Sequence, residues 1–138
     1  MQTTIQHLYK PSNDDNSLFY AWFLAMHTRV DIILCSRKSE GELLLVVNRI
    51  YDALCRLEKM ANFYDPASEL SVVNRTAFVS PVVLSEELYS MIDLCLEYNS
   101  KTLGCFDVTV HSENYNQNTI HSVHLSAGDH SICFSQPG

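Results

Sequence analysis

Two short apolar runs begin the pattern of hydrophobic and polar positions along this chain. Residues 18–25 (LFYAWFLA) and 30–35 (VDIILC) are rich in aromatic and β-branched side chains, and both are much shorter than a membrane-spanning helix. They predict two strands that pair around residues 26–29. In such a pairing the four connecting residues are exposed, and their backbone is available to a ligand.

Two amphipathic segments predict helices. In residues 42–62 apolar side chains recur at spacings of three and four, which places them on one helix face opposite a charged stripe. Ser85 is the predicted N-cap of the second helix, and Glu86 and Glu87 suit its positive N-terminal end. Gly104 suits the left-handed position that ends it. The predicted core faces comprise Leu43, Val46, Val47, Ile50, Leu54, Leu57 and Ala61 in the first helix, and Leu88, Met91, Ile92 and Cys95 in the second.

Turn residues and alternation predict the remaining segments. Residues 61–74 (ANFYDPASELSVVN) are predicted as a loop between the helices, because Asp65-Pro66 disfavours helix. Residues 105–110 (CFDVTV) alternate as a strand does. Residues 122–125 and 131–134 predict a hairpin after a polar loop. The order of elements predicts an α+β fold with a mixed or antiparallel sheet and two amphipathic helices.

The ends of the chain are polar. Residues 1–17 are predicted to form a polar arm, and residues 18–138 to form one α+β domain that is incomplete at its C-terminus. The first ten residues (MQTTIQHLYK) lack the charged start, apolar run and cleavage site of a secretory signal. The sequence as it stands is therefore expected to be cytoplasmic.

The composition argues against several classes of protein. The 138 residues are 46% hydrophobic, with only 4 Gly and 4 Pro, which indicates a globular domain. The net charge of −7 argues against a nucleic-acid surface, which needs clustered Lys and Arg. The 5 cysteines are scattered and are expected to be reduced and buried. No metal site is predicted, because the spacing of His111, His121, His124 and His130 fits no common ligand pattern.

Three stretches in order carry a family resemblance. Residues 25–28 (AMHT) are similar to A-M-G-T, residues 62–74 (NFYDPASELSVVN) to S-x-Y-x-x-x-S-E-[LI]-x-x-x-N, and residues 104–110 (GCFDVTV) to G-[AC]-F-D-x-[TS]-V. Together they resemble the ApbE family of FAD:protein FMN transferases, formerly labelled thiamine-biosynthesis lipoproteins. The second motif combined with the third is fairly specific, whereas each motif alone is weak.

The resemblance implies a flavin transferase. Members bind FAD, use Mg²⁺ on its pyrophosphate, and transfer FMN to a threonine of an acceptor flavoprotein with release of AMP. Many members are exported lipoproteins. The motifs imply that Met26 and Tyr64 contact FAD and that Cys105, Phe106 and Asp107 line the same cleft.

A methionine and a tyrosine suit that role, because both offer polarisable or flat apolar surface to a planar ring. Ser68, Glu69 and Asn74 are expected to brace the loop from within rather than contact the ligand.

The sequence also departs from the family pattern. His27 stands where the family has glycine, which adds a side chain where backbone would approach the ligand. Asn62-Phe63 replaces the usual phenylalanine-serine order. The later Gly-Lys-Gly segment and the Asp and Thr that hold Mg²⁺ have no counterpart in the sequence. Since this chemistry depends on positioning and metal charge, the chain alone is expected to be inactive.

The alternative is a non-catalytic interaction domain that kept the scaffold and lost flavin binding. His27 and the missing Mg²⁺ ligands motivate it, and an open sheet edge would favour a homo-oligomer. The expected partners are therefore FAD and an acceptor flavoprotein, or a second copy of the chain. Neither nucleic acid nor a membrane segment is expected.

Overall fold

Two three-stranded antiparallel sheets organise the chain. The computed structural model describes residues 4–11 and 16–137, and the chain divides into two units, Met1–Lys59 and Met60–Gly138. The predicted single domain over residues 18–138, incomplete at its C-terminus, stays a prediction. The α+β class is confirmed and both sheets are antiparallel, but the described residues form three α-helices where two were predicted.

The first unit is a meander packed on a helix. Its strands are β1 (Gln6–Lys10), β2 (Ser17–Ala25) and β3 (Thr28–Ser36), in that order, and α1 (Glu40–Ala61) begins in this unit. Alternate β2 side chains are buried against Leu43 and Val47 of α1. Each large side chain buried there stabilises the unit by about 1.5–3 kcal/mol. The buried β2 residues are Phe19, Ala21, Phe23 and Ala25.

Strand β1 replaces part of the predicted polar arm. Ile5 and Tyr9 pack against the core of the first unit, and the ring of His7 stacks on Phe19 with 5.1 Å between centroids. Every second residue therefore points inward, although the segment is polar in composition. Residues 1–3 and 12–15 of the predicted arm lie outside the described residues.

The second unit packs two helices on a smaller sheet. It contains α2 (Glu69–Thr76), β4 (Val82–Val83), α3 (Glu86–Lys101), β5 (Val123–Ser126) and β6 (Ser131–Phe134), and the strand order is β4-β6-β5. A single 3₁₀ turn, Thr119–Ser122, precedes β5. The predicted hairpin at residues 122–134 is thus confirmed. The buried core comprises Val73, Ala77, Leu84, Leu88 and Ile132.

Two predictions in the second unit were wrong. Helix α2 lies where the sequence predicted a continuous loop, because Pro66 precedes the helix and Ser68 caps it, while Val73 and Ala77 on one face are buried. Residues 105–110 form turns rather than a strand.

The cysteines were also predicted incorrectly in part. All five are free thiols, but Cys35 and Cys105 are exposed and the other three are half-buried. Burial raises the pKa of the Cys95 thiol.

Candidate functional site

The β2–β3 hairpin places Met26 at an exposed tight turn. Ala25 pairs with Thr28, so the turn has two residues, not the four predicted, and both adopt positive φ, 52° at Met26 and 57° at His27. This geometry matches the twist of the strands but crowds a Cβ, at a cost of about 1 kcal/mol for each non-glycine residue. The Met26 side chain is 44% exposed. Glycine at position 27 would suit this turn better than histidine.

Glu58 of α1 holds this turn. The Met26 backbone N–H donates to Glu58 Oε2 at 3.1 Å, and His27 Nε2 lies 3.9 Å from Glu58 Oε1. The His27 side chain is 84% exposed, whereas that of Glu58 is 29% exposed. The backbone donor at the tip of the hairpin is therefore already bonded to a carboxylate.

In the second unit, hydroxyl groups brace the loop that carries Tyr64. Buried Ser68 caps α2 by accepting from the Ser71 N–H at 3.1 Å, and it donates to the Asn62 carbonyl at 2.7 Å. Ser71 Oγ donates to the Phe63 carbonyl at 3.1 Å. These bonds fix the loop from within and leave the Tyr64 ring 82% exposed.

Glu69 ties this loop to α3. Its carboxylate accepts from the Ser85 N–H at 2.6 Å and from Ser85 Oγ at 2.8 Å, while Ser85 itself caps α3. Ser68 and Glu69 are thus internal braces, as predicted. Asn74 is not, because it lies exposed in the middle of α2.

The segment after α3 is held in turns by its own side chains. Leu103 and Gly104 take positive φ, and the Asn99 amide donates to the Phe106 carbonyl at 2.7 Å. Asp107 Oδ1 accepts from the Thr109 N–H at 2.8 Å and from Thr109 Oγ1 at 2.7 Å. Side chains therefore occupy backbone groups that a strand would pair, which explains why the alternating pattern does not produce one.

A cleft of about 400 Å³ opens beside this segment. Asp107 and Gly104 line it, together with Asn99, Tyr115 and His121. The Tyr115 hydroxyl lies 3.3 Å from Asp107 Oδ2, and desolvation together with the Asp107 carboxylate raises the pKa of Tyr115. The cleft combines a carboxylate, amides, an imidazole and a phenol, so it can donate and accept hydrogen bonds around a polar ligand.

The structure brings four of the five predicted flavin contacts into the second unit. Cys105 and Phe106 are exposed next to Asp107, and the Phe106 ring meets the Tyr98 ring edge-on at 6.3 Å. The loop of Tyr64 reaches the same region, because the rings of Phe63 and His111 lie 6.0 Å apart.

The fifth predicted contact, Met26, belongs to the first unit. Nothing in the structure tests flavin contact by any of these side chains, so those assignments stay predictions.

Sequence reasoning missed several cleft residues. Asn99 had a detectable signal, since an amide near the end of a helix commonly bonds the backbone that follows. Tyr115 had none, because it stands in a polar segment without periodicity. Outside the cleft, Glu58 beside the hairpin turn was also missed, and it had a signal as a carboxylate one turn after Leu54 on the apolar stripe of α1.

Metal-ligating side chains are not clustered in the part of the chain that the structure describes. No group of three or more His, Cys, Asp or Glu side chains within residues 4–11 and 16–137 is arranged to hold a metal ion. Over the same ranges, no helix has both the length and the apolar character that crossing a bilayer requires.

Comparisons with known proteins agree with the motifs. The ApbE family profile matches residues 26–115, which is 90 of the 138 residues. None of the curated proteins matches the chain.

Two solved structures share the fold. The crystal structure of the ApbE protein from Thermotoga maritima has a TM-score of 0.68 and 19% identity, covering 85% of this chain and 44% of that one. The flavin transferase ApbE from Vibrio cholerae has a TM-score of 0.55 and 14% identity, covering 98% of this chain and 46% of that one. The chain thus spans less than half the length of either structure.

Proposed function

The chain belongs to the ApbE family, and on that premise we propose that it is the N-terminal, FAD-binding portion of an FAD:protein FMN transferase. One observation carries the proposal. The second family motif forms the braced Tyr64 loop and most of α2, and the third forms the braced turns after α3. The ring of Phe63 in the second motif lies 6.0 Å from the ring of His111, which follows the third motif, and the third motif lines a polar cleft. The Vibrio cholerae protein of similar fold is named a flavin transferase.

Each proposed contact in the second unit has a chemical role. The Tyr64 ring and the Phe106 ring are exposed flat surfaces on which a flavin or adenine ring can stack. Asp107 keeps one oxygen on Thr109 and directs the other towards the Tyr115 side of the cleft, where it can accept from a ligand N–H or O–H. Exposed Cys105 stands next to Phe106, and since its N–H donates to the Thr102 carbonyl at 3.1 Å, it offers the ligand its carbonyl and its thiol.

The size of the cleft fits part of the ligand. Small-molecule sites commonly measure roughly 300–1,000 Å³, and the cleft measures about 400 Å³. It receives one end of the dinucleotide, while the exposed rings beside it cover another part. In the first unit, the Met26 thioether is the proposed contact, since it is soft and partly exposed.

We propose no transfer reaction by this chain alone. The reaction of the family depends on Mg²⁺, and the described residues hold no group of three or more His, Cys, Asp or Glu side chains arranged for a metal ion. Binding of FAD without release of AMP is therefore the expected behaviour, and an acceptor flavoprotein would be used only by a protein that also supplies the metal ligands.

Thermal unfolding with and without FAD tests this function. Excess FAD should raise the midpoint of unfolding, because a ligand that binds only the folded state stabilises it. Tyr64→Ala should reduce the shift without changing the midpoint of the free protein, since the Tyr64 ring is 82% exposed. Val79→Ala, at an 84% exposed position of the same unit, is the control and should leave the shift unchanged. No shift at saturating FAD would contradict the proposal.

A second candidate, self-association without flavin chemistry, is favoured by the outer face of the first sheet. Leu8, Leu24 and Ile33 are 62–67% exposed there, one on each strand, and Leu8 and Ile33 flank Tyr20 in one row. Such a row of apolar side chains on a sheet is suited to packing on a second copy. Light scattering decides: a concentration-dependent dimer that Ile33→Asp abolishes supports this candidate, and a monomer at high concentration contradicts it.

A further inference from the structure

Glu58 occupies a position in α1 at which an acidic side chain is unfavourable for the helix. Leu54, one turn earlier, packs against the core of the first unit, so the 54–58 spacing continues the apolar stripe. A carboxylate there is half-buried. It also lies in the last turn of α1, at the negative end of the helix dipole, where an acidic side chain is unfavourable. A reason for this carboxylate must therefore come from outside the helix.

The hairpin turn supplies that reason. In a two-residue turn the first turn residue has a backbone N–H without a partner in the strand ladder. Glu58 Oε2 accepts from this N–H of Met26 at 3.1 Å, and Glu58 Oε1 faces the His27 imidazole at 3.9 Å. One carboxylate thus holds both residues of a turn whose backbone is at positive φ.

We propose that Glu58 is a latch that lowers the affinity of the Met26–His27 turn for FAD. The inference rests on the proposed function. FAD carries a negatively charged pyrophosphate, and Glu58 places a negative charge beside the turn while occupying the backbone donor that a ligand would use. FAD must therefore bind against the Glu58 charge or displace it, and a residue that acts on Met26 in this way tunes affinity rather than chemistry.

Two substitutions separate the charge of Glu58 from its contact. Glu58→Gln removes the charge and keeps an acceptor for the Met26 N–H, whereas Glu58→Ala removes both. Glu40 provides the matched control, because it pairs with His7 at 3.0 Å at the other end of the same helix and does not touch the turn. Glu40→Gln and Glu40→Ala lower the net negative charge of the chain by the same amount as their Glu58 counterparts.

FAD affinity and amide hydrogen exchange are measured on all five proteins. Glu58→Ala should bind FAD about tenfold more tightly than the unsubstituted chain, and Glu58→Gln by a smaller factor, as expected for one lost like-charge contact at a half-buried site. The Glu40 variants should bind as the unsubstituted chain does. The Met26 amide should exchange faster in Glu58→Ala, whether or not flavin is present.

The outcomes distinguish this inference from the function on which it rests. Equal or weaker FAD binding by Glu58→Ala overturns the latch and leaves flavin binding standing. An unchanged Met26 exchange rate in Glu58→Ala also overturns it, because no contact would have been lost. If none of the five proteins binds FAD, the proposed function fails and the latch fails with it.

Discussion

The two loops that carry family motifs are stabilised in different ways. The Met26–His27 turn of the first unit has two residues at positive φ and relies on one carboxylate, Glu58. The Tyr64 loop of the second unit is closed by the buried hydroxyls of Ser68 and Ser71, each bonded to main-chain carbonyls. If both loops bind FAD as proposed, the turn with one exchangeable contact can adjust its affinity for the ligand, whereas the loop with several internal bonds holds one shape.

The largest expected effect comes from removing the main brace of the Tyr64 loop. Ser68→Ala leaves the buried Ser71 N–H and the Asn62 carbonyl each without one partner. The free energy of unfolding should fall by about 2–3 kcal/mol, measured by urea denaturation. Ser90→Ala, at an exposed position of α3, should change it by less than about 0.5 kcal/mol. A loss for Ser68→Ala as small as that of the control would show that the loop does not depend on this brace.

A smaller loss is expected where the loop joins α3. Glu69→Gln weakens two hydrogen bonds from Ser85, since an amide oxygen is a poorer acceptor than a carboxylate. The cost should be about 1 kcal/mol in the same denaturation experiment, because Ser85 is exposed. Asp93→Asn, elsewhere on α3, is the matched removal of one charge. If Glu69→Gln and Asp93→Asn lowered the free energy of unfolding equally, the Glu69–Ser85 hydrogen bonds would contribute nothing beyond the loss of one charge.

The opposite sign is expected at the hairpin turn. His27→Gly places the residue best suited to a φ of 57° and should raise the free energy of unfolding by about 0.5–1 kcal/mol. Gly104→Ala in the second unit is the reverse substitution, because it adds a Cβ at a residue with positive φ. A Cβ there would meet no atom within 4 Å, so its φ of 83° alone should make that variant less stable by a similar amount. A destabilised His27→Gly would mean that the imidazole contact with Glu58 outweighs the backbone strain.

The smallest expected effect is a loss of stability of the first unit at acid pH. Hydrogen bonds from the Tyr20 hydroxyl and the Arg29 guanidinium lower the pKa of Asp31 below its ordinary 3.8. A lowered folded-state pKa gives stability that is present above pH 3.8 and is lost as pH falls through the folded-state value. In Asp31→Asn, the free energy of unfolding should therefore fall less steeply below pH 3.8. Between pH 5 and 7, its dependence on pH should be the same as in the unsubstituted chain. If the variant and the unsubstituted chain lose stability equally below pH 3.8, the attribution of this loss to Asp31 is contradicted.

The sequence predicted structure best where contacts are local. The β2–β3 pairing and α1 followed from short runs and a three-four spacing, and both are confirmed within one or two residues. Ser85 was recognised because N-caps have few chemical alternatives. The C-cap of α3 is Thr102, and Gly104, two residues later, has the predicted positive φ but shares it with Leu103.

Prediction failed where side chains compete with the backbone for hydrogen bonds. Residues 105–110 alternate like a strand, yet Asp107 and Asn99 occupy the main-chain groups that a partner strand would need. Helix α2 was hidden because Pro66 indicates a break, and only the position of Ser68 shows that the break precedes the helix. In both cases the decisive partner is a few residues away, and its orientation is not encoded in hydrophobic periodicity.

The site was predictable only in part for the same reason. Motif order indicated Tyr64 and Asp107 as candidate flavin contacts, but not which groups surround them. Tyr115 and His121 reach the cleft through an irregular segment, whose path depends on specific turns. The pairing of Glu58 with Met26 joins residues far apart in sequence and could not be read from either motif.

Equilibrium titration with FAD, followed by flavin fluorescence, tests whether the Asp107 cleft is a flavin site. Asp107→Asn keeps an acceptor for Thr109 and removes the charge that faces the cleft, and Asp93→Asn is the control for charge alone. We predict saturable binding by the unsubstituted chain and by Asp93→Asn, and binding about tenfold weaker by Asp107→Asn. Absence of saturable binding by the folded, unsubstituted chain, or equal affinity in all three proteins, would contradict the claim that the Asp107 cleft is a flavin site.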